Sequence, residues 1–521
     1  MLSSLVHLAR NAHAGFVLAR EGALSLVDPT VLPPPGRVLL RFARLFERRQ
    51  AGDGAARLSA ALTRLGPSYV KFGQFLATRP DLVGVAVARD LERLQDRMPP
   101  FPREEAVRTV ELALGRPLDL LFAEFSEPVA AASIAQVHKA RLRNAAGGEY
   151  VAVKVMRPGV RERFARDLQA MRFAARQFER LAPEMRRLRP CEVVETLARS
   201  VAMEMDLRLE AAALSELADN TRDDPDFRVP RPEWDLTDRD VLTSEWIEAT
   251  SLRDLERIDA LGFDRPALAR TVIQSFLQHA IRDGFFHADM HPGNLFVDAE
   301  GRLVAVDFGI MGRLGMKERR FLAEILLGFI RRDYRRVAEV HFEAGYVPAH
   351  HSVDDFAQAL RAIGEPIHDR RADEISMARL LTLLFEVTAI FDMSTRPELV
   401  MLQKTMVVVE GVARTLDPKL DMWTTADPVV RDWIERNLGP IGRIEGAGRG
   451  ILTLAGVVAD LPDLALRGER VLEKLERLSD EGVRVDEGSL DGLARAEARR
   501  ARWNTLALWV IAALLALNLF R

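Results

Sequence analysis

The sequence predicts a helix-rich α+β fold of two lobes, preceded by an N-terminal helical extension and followed by a C-terminal transmembrane helix. Three observations point there: two short pairs of strand-like runs, long amphipathic helical patterns around them, and one uncharged apolar stretch near the C-terminus. At 521 residues and 48% hydrophobic, the chain is long enough to bury one large core or a few smaller ones. Its formal net charge of -3 provides no global basic field, so no nucleic acid is expected as a partner, and an anion must be held by a local site. The single cysteine, Cys191, excludes an intrachain disulfide and a multi-thiolate metal centre.

Taken in order, "MLSSLVHLARNAHAG" has no basic region followed by a long apolar core and reads as an amphipathic helix, not a cleaved signal peptide. Residues 1–60 read as helices interrupted by "PPPGR", and the helical pattern continues over 55–78 apart from Gly66 and Pro67. From Pro128 onward the pattern changes to two β-rich runs, 134–142 and 150–156, joined by a loop containing Gly147 and Gly148. Helical patterns follow over 160–181 and 192–219, then one strand and a connection in "DVLTSEWIEATSL", then a helix over 265–283. A second strand pair, "NLFVD" and "LVAVDFG", flanks "AEGR", and beyond Gly315 nearly everything is helical to a Gly-rich break at 439–450. These shifts give a helical extension over 1–120, a first lobe with inserted helices over 121–250, a helical second lobe over 251–438, a linker with amphipathic helices over 439–503, and a span over 504–520. That last stretch, "NTLALWVIAALLALNLF", carries no charge across 17 residues, about 25 Å of helix against a hydrocarbon core of ~30 Å. Arg495, Arg499, Arg500 and Arg502 precede it and Arg521 alone follows, which places the body of the protein on the cytoplasmic side.

The chemistry concentrates in "FFHADMHPGNLFV". His287 and His291 are spaced as in helical zinc pairs, but Pro292 and Gly293 follow at once and disfavour a continuous helix through them. Asp289 and Asn294 instead match the catalytic-loop spacing of protein kinases, in which the Asp faces the nucleophile and the Asn holds a metal. Phosphoryl transfer needs further charge neutralisation, and the sequence supplies it in kinase order: Lys154 on the strand "VAVKV", then Asp289 and Asn294, then Asp307 in "VDFG" as a Mg²⁺ carboxylate. The expected fold is therefore protein-kinase-like. No G-x-G-x-x-G precedes the first hairpin, where "AAAS" stands instead, and no A-P-E follows Gly309, so the platform for a protein substrate is missing. "GAGRG", at 446–450, follows no strand and reads as a linker.

These motifs resemble the UbiB family, also called ABC1 or ADCK, of atypical kinases associated with ubiquinone biosynthesis. The resemblance covers about 65–418 and rests on "LGPSYVKFGQFLATRPDL", "LQDRMPPFP", "AAAS", "VAVKVMRPG", "EMDLRLEAA", "FHADMHPGN", "VDFG" and "VEGVARTLDP". It implies that Lys71, Gly73 and Gln74 form the K-x-G-Q motif on an extension folded over the site, with Asp289, Lys71 and Gln74 as catalytic candidates. Glu204 and Asp206 form the E-x-D set. Two residues apart on one helix they point about 200° apart, so only one faces Lys71 squarely unless the helix begins or bends there. The candidate ATP contacts are Ala130, Ala131, Ala132, Ser133, Lys154, its helix partner Glu210, and Glu245, while Asn294 and Asp307 are the candidate Mg²⁺ ligands. Ala135 stands where many members of the family have glycine.

The resemblance further implies an ATP- and Mg²⁺-dependent kinase or ATPase at the cell inner membrane, working with ubiquinone-biosynthesis enzymes and polyprenyl-phenol lipid intermediates. Two alternatives stand beside it: a kinase of a small polar metabolite, suggested by "HPGN", and a lipid-binding scaffold regulated by nucleotide. No flavin or nicotinamide fingerprint and no ligand cluster for O₂ chemistry is present, so direct hydroxylation is not expected.

Overall fold

The structure, a computed structural model of the full chain, describes residues 2–26, 54–77, 98–143, 148–181, 189–367 and 397–438, with single positions between 40 and 97 and between 383 and 393. The chain divides into two compact units, Met1–Arg436 and Asn437–Arg521. The expected linker, "GAGRG" and the expected membrane span at 504–520 all lie outside the described residues. Among the described residues no helix is long and apolar enough to cross a membrane.

Among the described residues the first unit opens with helices α1 (Leu2–Arg20), α2 (Gly54–Leu65) and α3 (Pro67–Ala77). Helices α4 (Arg103–Leu114) and α5 (Leu118–Leu121) lead into strands β1 (Phe122–Ala131), β2 (Ala135–Leu142) and β3 (Tyr150–Met156). Helices α6 (Val160–Leu181), α7 (Pro190–Glu204) and α8 (Leu207–Asn220) follow, then β4 (Phe227–Arg228) and β5 (Val241–Glu245). Strands β1, β2, β3 and β5 form, in that order, one antiparallel sheet. Along β3 the alternation of a pleated strand sends Val151, Val153 and Val155 into a core with Phe101, Ala106 and Val110, so α4 and its approach cover that face. The α4 helix ends at Gly115, whose φ of 65° and N–H bond to Glu111 O make a left-handed cap. Near the other end of the sheet, Ile134, Met156 and Leu242 join Phe164 of α6, Leu197 of α7 and Leu207 of α8, with Tyr69 and Phe72 of α3 packed against them. The N-terminal extension thus shares a core with the sheet.

The second half contains β6 (Ala249–Ser251), α9 (Leu255–Ala260) and α10 (Arg265–Leu277), then β7 (Phe285–His287), β8 (Leu295–Asp298), β9 (Leu303–Ala305) and β10 (Met311–Arg313). Helices α11 (Met316–Ile330), α12 (Tyr334–Glu343), α13 (Val353–Gly364), α14 (Pro397–Leu416) and α15 (Met422–Leu438) complete it. A small sheet runs β4-β9-β8-β6, and β7 pairs with β10. Tyr334, Val337, Phe356 and Phe391 form the core between α12 and α13.

Four sequence expectations change. Strand β1 is absent from the sequence reading because Pro128 and two acidic residues interrupt its pattern; it is an edge strand with register shifts around Pro128, where a missing N–H is tolerated. The strand and connection expected over 240–252 are two strands in two sheets, β5 beside β3 and β6 beside β8, so 246–248 is the crossover between them. The single helix over 192–219 is α7 and α8, separated at Met205 and Asp206. The helix expected over 265–283 ends as α-helix at Leu277 and continues as a π-helical turn, Gln278–Asp283, closed by Gly284 in the left-handed region.

Candidate active site

Lys154 lies on the face of β3 opposite its three core valines. Its ammonium meets Glu210 of α8 at 2.7 and 2.9 Å and Asp307 Oδ1 at 2.9 Å. The break before α8 makes this possible: Asp206 caps the helix by accepting from Arg208 N, which starts a new helical turn just ahead of Glu210. Asp307 follows β9 with φ at 64°, a left-handed conformation unusual outside glycine, while the next side chain, Phe308, is buried beside His287. Burial works against the charge on Lys154, but Asp307 and Glu210 more than offset it and hold the lysine above its ordinary range. Burial likewise works against the Asp307 carboxylate, and Lys154 overrides it, so Asp307 stays below the usual carboxylate range. Burial pushes Glu210 up, against the pull of Lys154, because that one ammonium is shared with a second carboxylate.

The loop carrying Asp289 is held almost atom by atom. The Asp289 N–H donates to His287 Nδ1 at 3.0 Å, so the neutral ring carries its proton on Nε2, which donates to Val306 O at 3.2 Å. Burial keeps His287 below its ordinary range, consistent with that neutral form. Ala288 N donates to Ile310 O, and Ala288 O accepts from Thr405 Oγ1 of α14 at 3.0 Å. Asn294 Nδ2 donates to Asp289 O at 3.1 Å and Val306 N donates to Asn294 O at 2.9 Å, which ties the Asn to the strand leading to Asp307. His291 Nδ1 accepts from Gly293 N at 2.9 Å in a tight turn, and the helical zinc pair of His287 and His291 does not form.

Lys71 on α3 reaches Glu204 Oε2 at 2.7 Å, and its charge acts on Asp307 as well. Glu204 is the last residue of α7 and Asp206 the cap of α8, so the two carboxylates belong to different helices; Glu204 takes the lysine and Asp206 takes Arg208. Gly73 has a steric reason: a Cβ there would come within 2.5 Å of Leu94 and 2.7 Å of Leu62, so α3 packs closely only without one. Gln74, half-buried, lies one turn beyond Lys71.

The remaining candidates stand at the rim. Ala130 and Ala131 end β1, and Ala132 N donates to Ala135 O at 2.8 Å, closing a short turn around the fully buried Ser133. Arg157 braces the turn through Ala132 O. Gln136, His138 and Phe101, which sequence reasoning passed over, form a buried network beneath it. Ala135, in the position often held by glycine, is buried with an ordinary strand backbone. Glu245 pairs with Arg228 and stands opposite Val151, whereas Lys154 stands opposite Leu242, so about three residues of strand, roughly 10 Å, separate it from the lysine. The structure brings Lys71, Lys154, Glu210 and Asp307 together, sets Asp289 and Asn294 beside them on the braced loop, and leaves Glu245 and the alanine turn along the sheet.

The donors suit a magnesium nucleotide. Two carboxylates share one lysine, Asp307 keeps 47% of its side chain exposed, and Asp307 and Asn294 present hard oxygen atoms. Asn294 uses its amide nitrogen on Asp289 O, which turns its oxygen to the other side.

Comparison with known proteins identifies the family. Residues 93–341 match the ABC1 atypical kinase-like domain and residues 360–421 the UbiB helical domain. The chain is 41% identical over 448 residues to the probable protein kinase UbiB of Marinobacter nauticus, spanning 85% of this chain and 81% of that protein. Among solved structures it is similar to Rv3197 of Mycobacterium tuberculosis, determined in complex with erythromycin, at 25% identity and a TM-score of 0.49 over 76% of this chain and 98% of that one. By these matches, the chain belongs to the UbiB family of ABC1 atypical kinase-like proteins.

Proposed function

We propose that this protein is an ATP- and Mg²⁺-dependent kinase or ATPase that supports ubiquinone biosynthesis at the membrane, with water or a small molecule as phosphate acceptor. The observation that carries the reading is the bridge from Lys154 to Glu210 and Asp307, one cation shared by two carboxylates at the mouth of a braced loop. Bound MgATP would supply the phosphoryl group, and its Mg²⁺ ion the positive charge that offsets the phosphates and the Asp307 carboxylate. Asp307 and Asn294 would hold the metal, and Lys154, kept in place by Glu210, would pair with phosphate oxygens. Asp289, with 39% of its side chain exposed, would accept the proton of the attacking hydroxyl or water. The alanine turn and Glu245 would border the nucleotide further along the sheet.

Lys71 favours a small acceptor. It comes from the extension, pairs with Glu204 and acts on Asp307, so part of the approach to the site is already occupied by the chain itself. The lipid setting, with polyprenyl-phenol intermediates, biosynthetic partners, a single-pass inner-membrane anchor at 504–520 and a cytoplasmic catalytic body, is proposed on the family resemblance and the apolar C-terminal sequence. The deciding experiment measures Mg²⁺-dependent ATP turnover by the full chain beside Asp307→Ala. Turnover lost in the variant supports the enzyme; nucleotide binding without turnover in the parent would leave a nucleotide-regulated scaffold.

A further inference from the structure

We propose a second cation site, for one divalent transition-metal ion, formed by His350, His351 and Asp392 on the helical part of the molecule. The three side chains each offer a donor atom, and these atoms lie within 4.8 Å of one another. His351 Nε2 is 3.2 Å and His350 Nε2 3.7 Å from the same oxygen, Asp392 Oδ2. An ion bound at about 2.1 Å from each donor needs them roughly 3–4 Å apart, so small side-chain rotations complete the arrangement.

Neighbouring residues rarely aim their side chains at one point. Here a turn between α12 and α13, closed by His351 N donating to Pro348 O, brings the two imidazoles side by side with ring centroids 4.1 Å apart. Asp392 comes from a different segment, just after the helical residue 390, and adopts φ of 47°, a left-handed backbone that few non-glycine residues take. Both segments are anchored in one core: His351, only 19% exposed, lies 5.3 Å from the ring of Phe391, which packs at 4.9 Å on Phe356. His351 is thus held in place before any ion arrives, while His350 and Asp392, each 67% exposed, are free to rotate onto an ion and leave room for water in the remaining coordination positions.

The chemistry of the set separates it from the first site. Two imidazoles and one carboxylate select zinc, nickel, cobalt or copper over magnesium, whereas Asp307 and Asn294 offer only oxygen. A bound ion would clip the α12–α13 turn to the segment that leads toward α14.

The test uses metal-free full-length protein titrated with Zn²⁺ by calorimetry and with Co²⁺ by visible absorption, both in excess Mg²⁺. We expect one saturable equivalent that Mg²⁺ does not displace, at least about tenfold weaker in His350→Ala and in Asp392→Asn, and unchanged in Asp307→Ala. The two exposed substitutions leave the core untouched, so circular dichroism should match the parent. Failure to saturate, or parental affinity in the His350→Ala/Asp392→Asn double variant, would overturn the site, and neither result bears on nucleotide turnover.

Discussion

Two lysines approach the same acidic centre from opposite parts of the chain. Lys154 comes from a central strand of the larger sheet and is clamped between Glu210 and Asp307. Lys71 comes from the helical extension and meets Glu204, at the end of the preceding helix. Their partners lie only six residues apart, on either side of the break between α7 and α8. One break therefore gives each lysine its own carboxylate, where a continuous helix would offer both on one rod. On the proposed function, Lys154 would anchor the nucleotide and Lys71 would cover it.

The largest expected effect strikes the shared partner. Asp307→Ala should abolish Mg²⁺-dependent nucleotide binding, measured by calorimetry, because Lys154 and Lys71 would then face a site without its metal carboxylate. Asp289→Ala should leave binding within a few-fold and lower turnover by about 10²–10⁴-fold. Equal loss of binding in both variants would erase the division of labour between metal ligand and base.

Next come the two lysines themselves. Lys71→Ala and Glu204→Gln should move the enzyme in the same direction, altering basal ATPase or raising self-phosphorylation, at a stability cost of about 3–5 kcal/mol, because the pair is largely buried, its side chains 10% and 15% exposed. If the two variants diverge, or both match the parent in turnover, self-phosphorylation and ATP affinity, Lys71 is structural. Asp206 sharpens the contrast. Asp206→Ala removes a helix cap and should cost about 1 kcal/mol in urea unfolding without reproducing the Lys71→Ala activity change.

The smallest effect is a pH dependence. Hydrogen bonding to Arg208, ahead of the opposing effect of burial, holds the Asp206 carboxyl below its ordinary range. A depressed carboxyl contributes stability that is present above its unfolded value, near pH 4, and lost as pH falls through the folded value. The Asp206→Asn variant should therefore lose less stability than the parent between neutral pH and the acid range. Parallel acid limbs for the two proteins would remove Asp206 from the linkage.

Sequence alone carried the strand lysine, the catalytic-loop spacing and the DFG-type Asp because each sits in a short motif whose neighbours report strand or turn. The bounds of α6 and β3 were equally legible, since both are long and strongly patterned. What stayed hidden depends on distant partners. Pro128 and acidic residues masked the edge strand β1, and the 240–252 segment has no local sign that its two ends pair in different sheets. The helix break was half legible: on one helix Glu204 and Asp206 would point apart unless a helix begins or bends there, and the N-cap preference of Asp was the clue that one begins. The brace on Ala288 had no local signal at all, because Thr405 lies on a different helix.

That brace has a consequence in time. Thr405 stands 117 residues after Ala288, within the stretch that matches the UbiB helical domain, while the loop it holds lies in the stretch that matches the ABC1 domain. A ribosome that has just made the Asp289 loop must continue for on the order of ten seconds before the bracing hydroxyl exists. Until then the carbonyl that precedes Asp289 lacks this hydrogen bond, so the final geometry of the loop is set only once the later helix has been made.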